Sequence, residues 1–146
     1  MKLSTRSRYG VRMMADLADH YGENPVFLKD IAKREDISEK YLSIIVIPLR
    51  SGGLIQSTRG AHGGYTLARR PEEITVQDIF DALEGKICLV DCVNNPKDCP
   101  RVGICPTRDI WSVLGDKIRE TLNSVTLADL VKTRREKADN NMMSNI

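Results

Sequence analysis

The spacing of apolar residues changes abruptly at Gly52 and Gly53, and that change constrains the fold more than any other feature of the chain. Before it, apolar side chains recur every three or four residues. After it, residues 54–58 and 65–68 read as two short strands joined by RGAHGGY, whose three glycines accept backbone angles that other residues resist. A first helix is predicted over 4–21, with Tyr9, Met13, Leu17 and Tyr21 on one face, Met14 and Ala18 beside them, and Gly22 as the stop. The segment LKDIAKRE gives a second, short helix through Leu28, Ile31 and Ala32. Ser38 is a good N-cap for a third, carrying Tyr41, Leu42, Ile45, Val46 and Leu49. Pro48 lies inside that pattern and removes a helix hydrogen bond, so a kink or an early end is expected there.

Two short helices followed by a glycine-tipped hairpin make a winged helix-turn-helix. In that architecture the second helix lies in the major groove, here residues 38–49. Ser38, Glu39, Lys40 and Ser43 are its polar positions, and Tyr41 is placed to reach base or phosphate. The wing tip offers Arg59, Gly60 and His62, suited to a narrow minor groove or to phosphate. Arg6, Arg8, Arg12 and Arg50 add cationic charge for the backbone. The chain as a whole carries only +2, but the total conceals a split. Residues 1–70 hold 12 Lys and Arg against 7 Asp and Glu, whereas residues 71–146 hold 10 against 13, so a basic front (+5) precedes an acidic back (−3).

The back half begins with TVQDIFDALEG, where Thr75 and Asp78 form a capping box and Val76, Ile79, Phe80 and Leu83 an apolar face ended by Gly85. Residues 86–106 have no periodicity and contain every cysteine, a stretch too long for a mere connector. A long helix follows over 107–123, with Ile110, Trp111, Leu114, Ile118 and Leu122 in one stripe. A stripe of that length on a small chain is expected to bury itself against a second copy, giving a homodimer. Thr126 and Asp129 make a second capping box before LADLV, and the polar tail 132–146 is expected to be disordered. The expected class is therefore mostly α (α+β): a winged helix-turn-helix over 1–70, a cysteine loop and dimerisation helices over 71–131, and a tail. No apolar run approaches the roughly 20 residues of a membrane span, and no secretion signal is visible, so a cytoplasmic protein without membrane contact is expected.

Cys88, Cys92, Cys99 and Cys105 are spaced C-x3-C-x6-C-x5-C. Four thiols so close suit a disulfide pair, zinc, an iron–sulfur cluster or a redox switch. A reducing compartment disfavours disulfides, and zinc sites prefer tighter pairs than these. Wide gaps in a loop rich in proline and glycine suit a polynuclear cluster held by thiolates. Catalysis is not expected, because His20 in a helix and His62 on the wing leave no acid–base pair.

The segments MKLSTRSRYGVRMM, STRGAHGGYTL, TVQDIFDALEG, DCVNNPKDCPRVGICPTRDIW and VTLADLV together resemble the IscR-type family of iron–sulfur cluster regulators, over about residues 1–131. The resemblance implies a dimeric bacterial transcription factor that binds a palindromic operator on double-stranded DNA. It implies a [2Fe-2S] cluster on Cys92, Cys99 and Cys105, and repression of cluster-assembly genes when the cluster is present. Cys88 matches no family ligand. The family's histidine ligand falls at Arg108, a guanidinium with no lone pair to offer, so the fourth ligand is sought in Cys88 first, then Asp109, Thr107, the partner subunit or a small molecule. The family's Glu–Gln pair after Tyr41 and Leu42 is replaced by Ser43 and Ile44; Ile44 either meets a thymine methyl or joins the core, and the core is expected. The alternative is a cluster-free relative that regulates cysteine or sulfur metabolism, or that senses nitric oxide or thiol oxidation.

Overall fold

A computed structural model describes residues 2–145 of the chain. Helix α1 (Thr5–Asp19) begins where the Ser4 hydroxyl accepts from the Ser7 amide, and its inner face buries Met13, Met14 and Leu17. Helices α2 (Leu28–Glu35) and α3 (Glu39–Ser51) follow, separated by a turn in which Asp36 takes the left-handed conformation at φ 51°. Ser38 caps α3 by accepting from the Tyr41 amide at 3.0 Å, and the helix runs through Pro48 to Ser51 instead of ending early. Strands β1 (Ile55–Thr58) and β2 (Gly64–Leu67) pair antiparallel in the register Ile55 to Leu67 and Thr58 to Gly64. The helix and hairpin positions agree with the periodicity of the sequence.

The wing is held by a contact that the periodicity does not show. Val26, in the connection between α1 and α2, exchanges both backbone hydrogen bonds with Tyr65, at 2.9 and 2.8 Å. The backbone at Gly64 comes so close that a Cβ there would lie 2.6 Å from the Val26 carbonyl oxygen, and φ is +136°. Glycine is the residue that fits this position.

A one-turn 3-10 segment (Pro71–Glu73) leads into α4 (Val76–Glu84), and after the cysteine loop come α6 (Arg108–Asn123) and α7 (Leu127–Ser144). Inside the loop, α5 (Asp91–Asn94) is a single turn followed by a second 3-10 turn at Pro96–Asp98. Both predicted capping boxes are present, Thr75 with Asp78 and Thr126 with Asp129. They lie side by side, because the Leu127 amide donates to the Ile74 carbonyl and the Val76 amide to the Val125 carbonyl, each at 2.9 Å. As a result α7 folds back onto the N-terminal helices. Ile74, Ile79, Leu83, Leu127 and Val131 share one apolar cluster with Met13, Ile31, Leu42, Ile45 and Ile55, so the core extends across residue 70.

The expectation of a disordered tail over 132–146 is corrected: α7 continues as helix to Ser144. Its capping box starts the helix, residues with good helix propensity sustain it, and ion pairs dock it. Arg134 reaches Glu35 at 2.8 Å and Arg135 reaches Asp19 at 3.1 Å. Glu35 is nearly buried and also takes a guanidinium contact from Arg12 at 3.4 Å. Beside it, Asp16 is 1% exposed and holds Arg34 through two bonds of 2.8 and 2.7 Å.

Removing Arg134 takes one of two cations from a nearly buried carboxylate. Arg134→Ala is expected to lower stability by about 1–2 kcal/mol in urea unfolding at pH 7. An unchanged midpoint would show that the tail helix is not docked.

Candidate nucleic-acid interface and cysteine loop

Helix α3 divides cleanly into two faces. Leu42, Ile45, Val46 and Leu49 are buried, which turns Glu39, Lys40, Ser43, Ile44, Ile47 and Arg50 to the exterior. Tyr41 is half-buried and meets Tyr9 edge to face, with centroids 5.7 Å apart, so it serves the packing of α3 on α1 as well as the surface. Arg50 donates to the Ser57 hydroxyl at 3.4 Å, joining the end of α3 to the wing. At the wing tip Arg59, Gly60 and His62 are all exposed, with Gly60 at φ +105°. Arg8 is exposed at the start of α1, where its guanidinium contacts only the Thr5 hydroxyl among the described residues.

Two expectations for this surface change. Ile44 is 52% exposed, so it does not belong to the core. Four consecutive apolar residues, Ile44 to Ile47, made its face ambiguous in the sequence, and the burial of Ile45 and Val46 decides it. Arg12 is not a free cation for phosphate, because its guanidinium is engaged by the Glu35 side chain and backbone carbonyl and stacks 5.4 Å from the Tyr9 ring. Only tertiary contact between α1 and α2 reveals that pairing.

The cysteines occupy different local environments. Cys88 is exposed, and its thiol donates to the Val90 carbonyl at 3.3 Å. Cys92 lies on α5, Cys99 just after the 3-10 turn and Cys105 just before α6, all three half-buried, and all four are free thiols. Among the described residues no three Cys, His, Asp or Glu side chains converge as a metal site. Arg108, at the position of the expected histidine, donates from Nε to the Cys92 carbonyl at 3.2 Å and so ties α5 to the start of α6. Thr107 Oγ1 lies 3.3 Å from Cys105 Sγ. That hydroxyl, followed by the backbone amides of Arg108 and Thr107, holds the Cys105 thiol below its ordinary pKa by stabilising the thiolate.

Along α6, the expected dimer stripe is split. Ile110, Trp111 and Leu114 are exposed, together with Val113, which lies outside the expected stripe, while Ile118 and Leu122 are half-buried. Ile110, Val113 and Leu114 line a shallow, wholly apolar depression edged by Asp109 and Lys117. Helix α6 packs against α4 and α5, and its outer face is left bare.

A helix-turn-helix with an amphipathic second helix and a basic wing defines a DNA-binding transcription regulator of the winged-helix class. The chain belongs to the Rrf2 family, described as iron-dependent transcriptional regulators, whose profile matches residues 3–133. It is 49% identical over 132 residues to the protein rrf2 of Nitratidesulfovibrio vulgaris, covering 90% of this chain and 88% of that one. The solved structure of T. potens IscR is similar at a TM-score of 0.78 and 42% identity, covering 94% of this chain and 90% of that one. The structure of CymR, the global cysteine regulator of B. subtilis, is similar at 0.75 and 40%, covering 91% and 98%. The family consists of transcription regulators and not enzymes. Among the described residues no helix is long and apolar enough to cross a membrane.

Because the Thr107 hydroxyl favours the Cys105 thiolate, Cys105 is expected to react with iodoacetamide at a pH below that of an ordinary thiol. Thr107→Val raises that pH and slows alkylation near neutrality, read by mass spectrometry of the modified peptide. Identical rates in the two proteins would show that the hydroxyl does not tune the thiol.

Proposed function

We propose that this chain is a homodimeric transcription factor that reads a palindromic operator in double-stranded DNA through α3 and the wing, under control of the cysteine loop. The observation that carries the reading is the outward face of α3. One side of that helix fills the core, and the other presents Lys40, Ser43 and Arg50 beside a wing bearing Arg59 and His62. Ser38 and Tyr41 fix the start of the helix, and Arg8 extends the cationic surface. In this reading Arg8, Arg50 and Arg59 neutralise phosphates, while Lys40 and Ser43 face base edges.

The dimer reading rests on Ile110, Trp111, Val113 and Leu114, an apolar face at three- and four-residue spacing with no partner within the described chain. A two-fold axis beside the bare face of α6 would pair it with its own copy, and an operator of matching symmetry follows if both copies bind one duplex. Ile118 and Leu122 would continue the contact at its half-buried end.

The donor set fits an iron–sulfur cluster in kind. Cys92, Cys99 and Cys105 are free thiols on one loop with little regular structure, and Cys105 is biased toward thiolate. Closure of residues 86–106 is required to bring them together, with Cys88, Asp109 or Thr107 as candidates for a fourth donor. Bound there, a [2Fe-2S] cluster would supply an oxidant-sensitive cross-link within the loop. The chain's own part is mechanical: Arg108 couples Cys92 to α6, so loop order is transmitted to the helix that spaces the two DNA-reading units. In this reading the protein represses cluster-assembly genes. A second reading, direct thiol sensing without a cluster, is favoured by the tuned Cys105 thiol and by similarity to CymR structures, one of them described as an oxidised form.

Duplexes enriched from a random library should bind with an affinity that falls steeply with salt. Arg59→Ala is expected to weaken them about three- to tenfold and to lower the salt slope by about one, measured by fluorescence anisotropy. Salt-independent binding, or no enrichment, would contradict the DNA reading. Sedimentation should give a dimer at micromolar concentration and a monomer for Leu114→Asp, a charge placed on the bare face; a wild-type monomer would contradict the dimer. Anaerobic reconstitution with ferrous iron and sulfide should give a coloured protein whose spectrum is lost in Cys92→Ser, Cys99→Ser and Cys105→Ser. A colourless product in the wild type favours the thiol reading.

A further inference from the structure

The outer face of α3 carries two isoleucines that the packing does not use. Ile44 is 52% and Ile47 59% exposed, whereas Leu42, Ile45 and Leu49 on the inner face are fully buried. At three-residue spacing, Ile44 and Ile47 share a side of the helix with Lys40 and Ser43, and Arg50 lies one turn further on. Two large aliphatic side chains held in water forgo the free energy of burial, which is recovered only when that face is covered.

The surroundings identify the cover. Lys40 and Arg50 bracket the pair, and Arg59 stands on the adjacent wing, so the isoleucines lie within a cationic rim that suits a polyanion. Part of the hydrogen-bonding capacity of this face is engaged within the protein. The Ser43 hydroxyl donates to the Lys40 carbonyl at 2.6 Å, the Ser38 oxygen accepts from the Tyr41 amide, and Arg50 is shared with Ser57. Lys40 and Arg59 keep their donors for polar contacts, and the two apolar groups between them match one further feature of duplex DNA. Thymine is the only base that presents a methyl group in the major groove.

We propose that Ile44 and Ile47 read the 5-methyl groups of thymines, so that the half-site of this protein is specified in part by apolar contact instead of by hydrogen bonding. The inference rests on the DNA reading above. Both side chains are β-branched and stiff at χ1, so their contact surface is set before binding. Three residues of helix separate them by about 4.5 Å along the axis, against about 3.4 Å between base pairs, so the two fall on neighbouring positions of the site.

The test starts from a duplex enriched out of a random library by the full-length protein. Each thymine is then replaced in turn by deoxyuridine, which removes only the methyl group. Binding is expected to weaken about fourfold at one or two positions and to be unchanged elsewhere. Ile44→Ala and Ile47→Ala are each expected to lose the methyl dependence at one position while keeping the wild-type salt slope and helical circular dichroism. Methyl-independent binding at every thymine, or unchanged dependence in both variants, overturns the proposal and leaves the DNA reading standing. A library that yields no enriched duplex overturns both.

Discussion

The burial of one face of α3 is the constraint from which the rest of this structure follows. Leu42, Ile45 and Leu49 are sealed against Met13, Met14 and Leu17 of α1 and Ile31 of α2. Deleting any of them would leave a cavity costing about 2–5 kcal/mol, a large part of the stability of a small domain. With that face committed, the opposite side of the helix is fixed in position and in composition. The wing is set by the same core, because Ile55 at the start of β1 is buried in it and Val26 clips β2 at Tyr65. Helix α3 and the hairpin are thus positioned by one core.

The C-terminal half extends that core and hangs the cysteine loop from it. The bridge between residues 74–76 and 125–127 starts α4 and α7 from adjacent capping boxes, and both helices return their apolar residues to the common core. The cysteine loop and α6 lie between these two anchors in sequence and contribute no residue to the fully buried core. A change in loop order can therefore proceed without disturbing the core that holds α3 and the hairpin. The contact of Arg108 with the Cys92 carbonyl is the direct mechanical link from loop to α6.

Much of this was legible from residue spacing. The helices, the hairpin and both capping boxes are local features, set by periodicity and by hydrogen bonds between residues three apart. What escaped depends on contacts between distant segments. The Val26–Tyr65 pairing joins residues 39 positions apart, and the engagement of Arg12 by Glu35 needs α1 and α2 in place. The tail looked disordered because it is polar all round; docking through Arg134 and Arg135 is invisible to hydrophobic patterning. Ile44 illustrates the same limit in reverse, since in an unbroken apolar run only packing tells which side chains turn inward. The cysteine positions were evident, but their local chemistry was not: the tuning of Cys105 comes from its neighbour Thr107 and the amides opening α6.

If α3 and the wing together form the nucleic-acid surface, DNA shields both at once. Hydrogen–deuterium exchange of the full-length protein, with and without an enriched duplex at low salt, reads this segment by segment. New protection is expected in residues 38–51 and 57–64, with α7 unchanged. Protection confined to α7 or to the cysteine loop, with α3 and the wing exchanging as in the free protein, would contradict it.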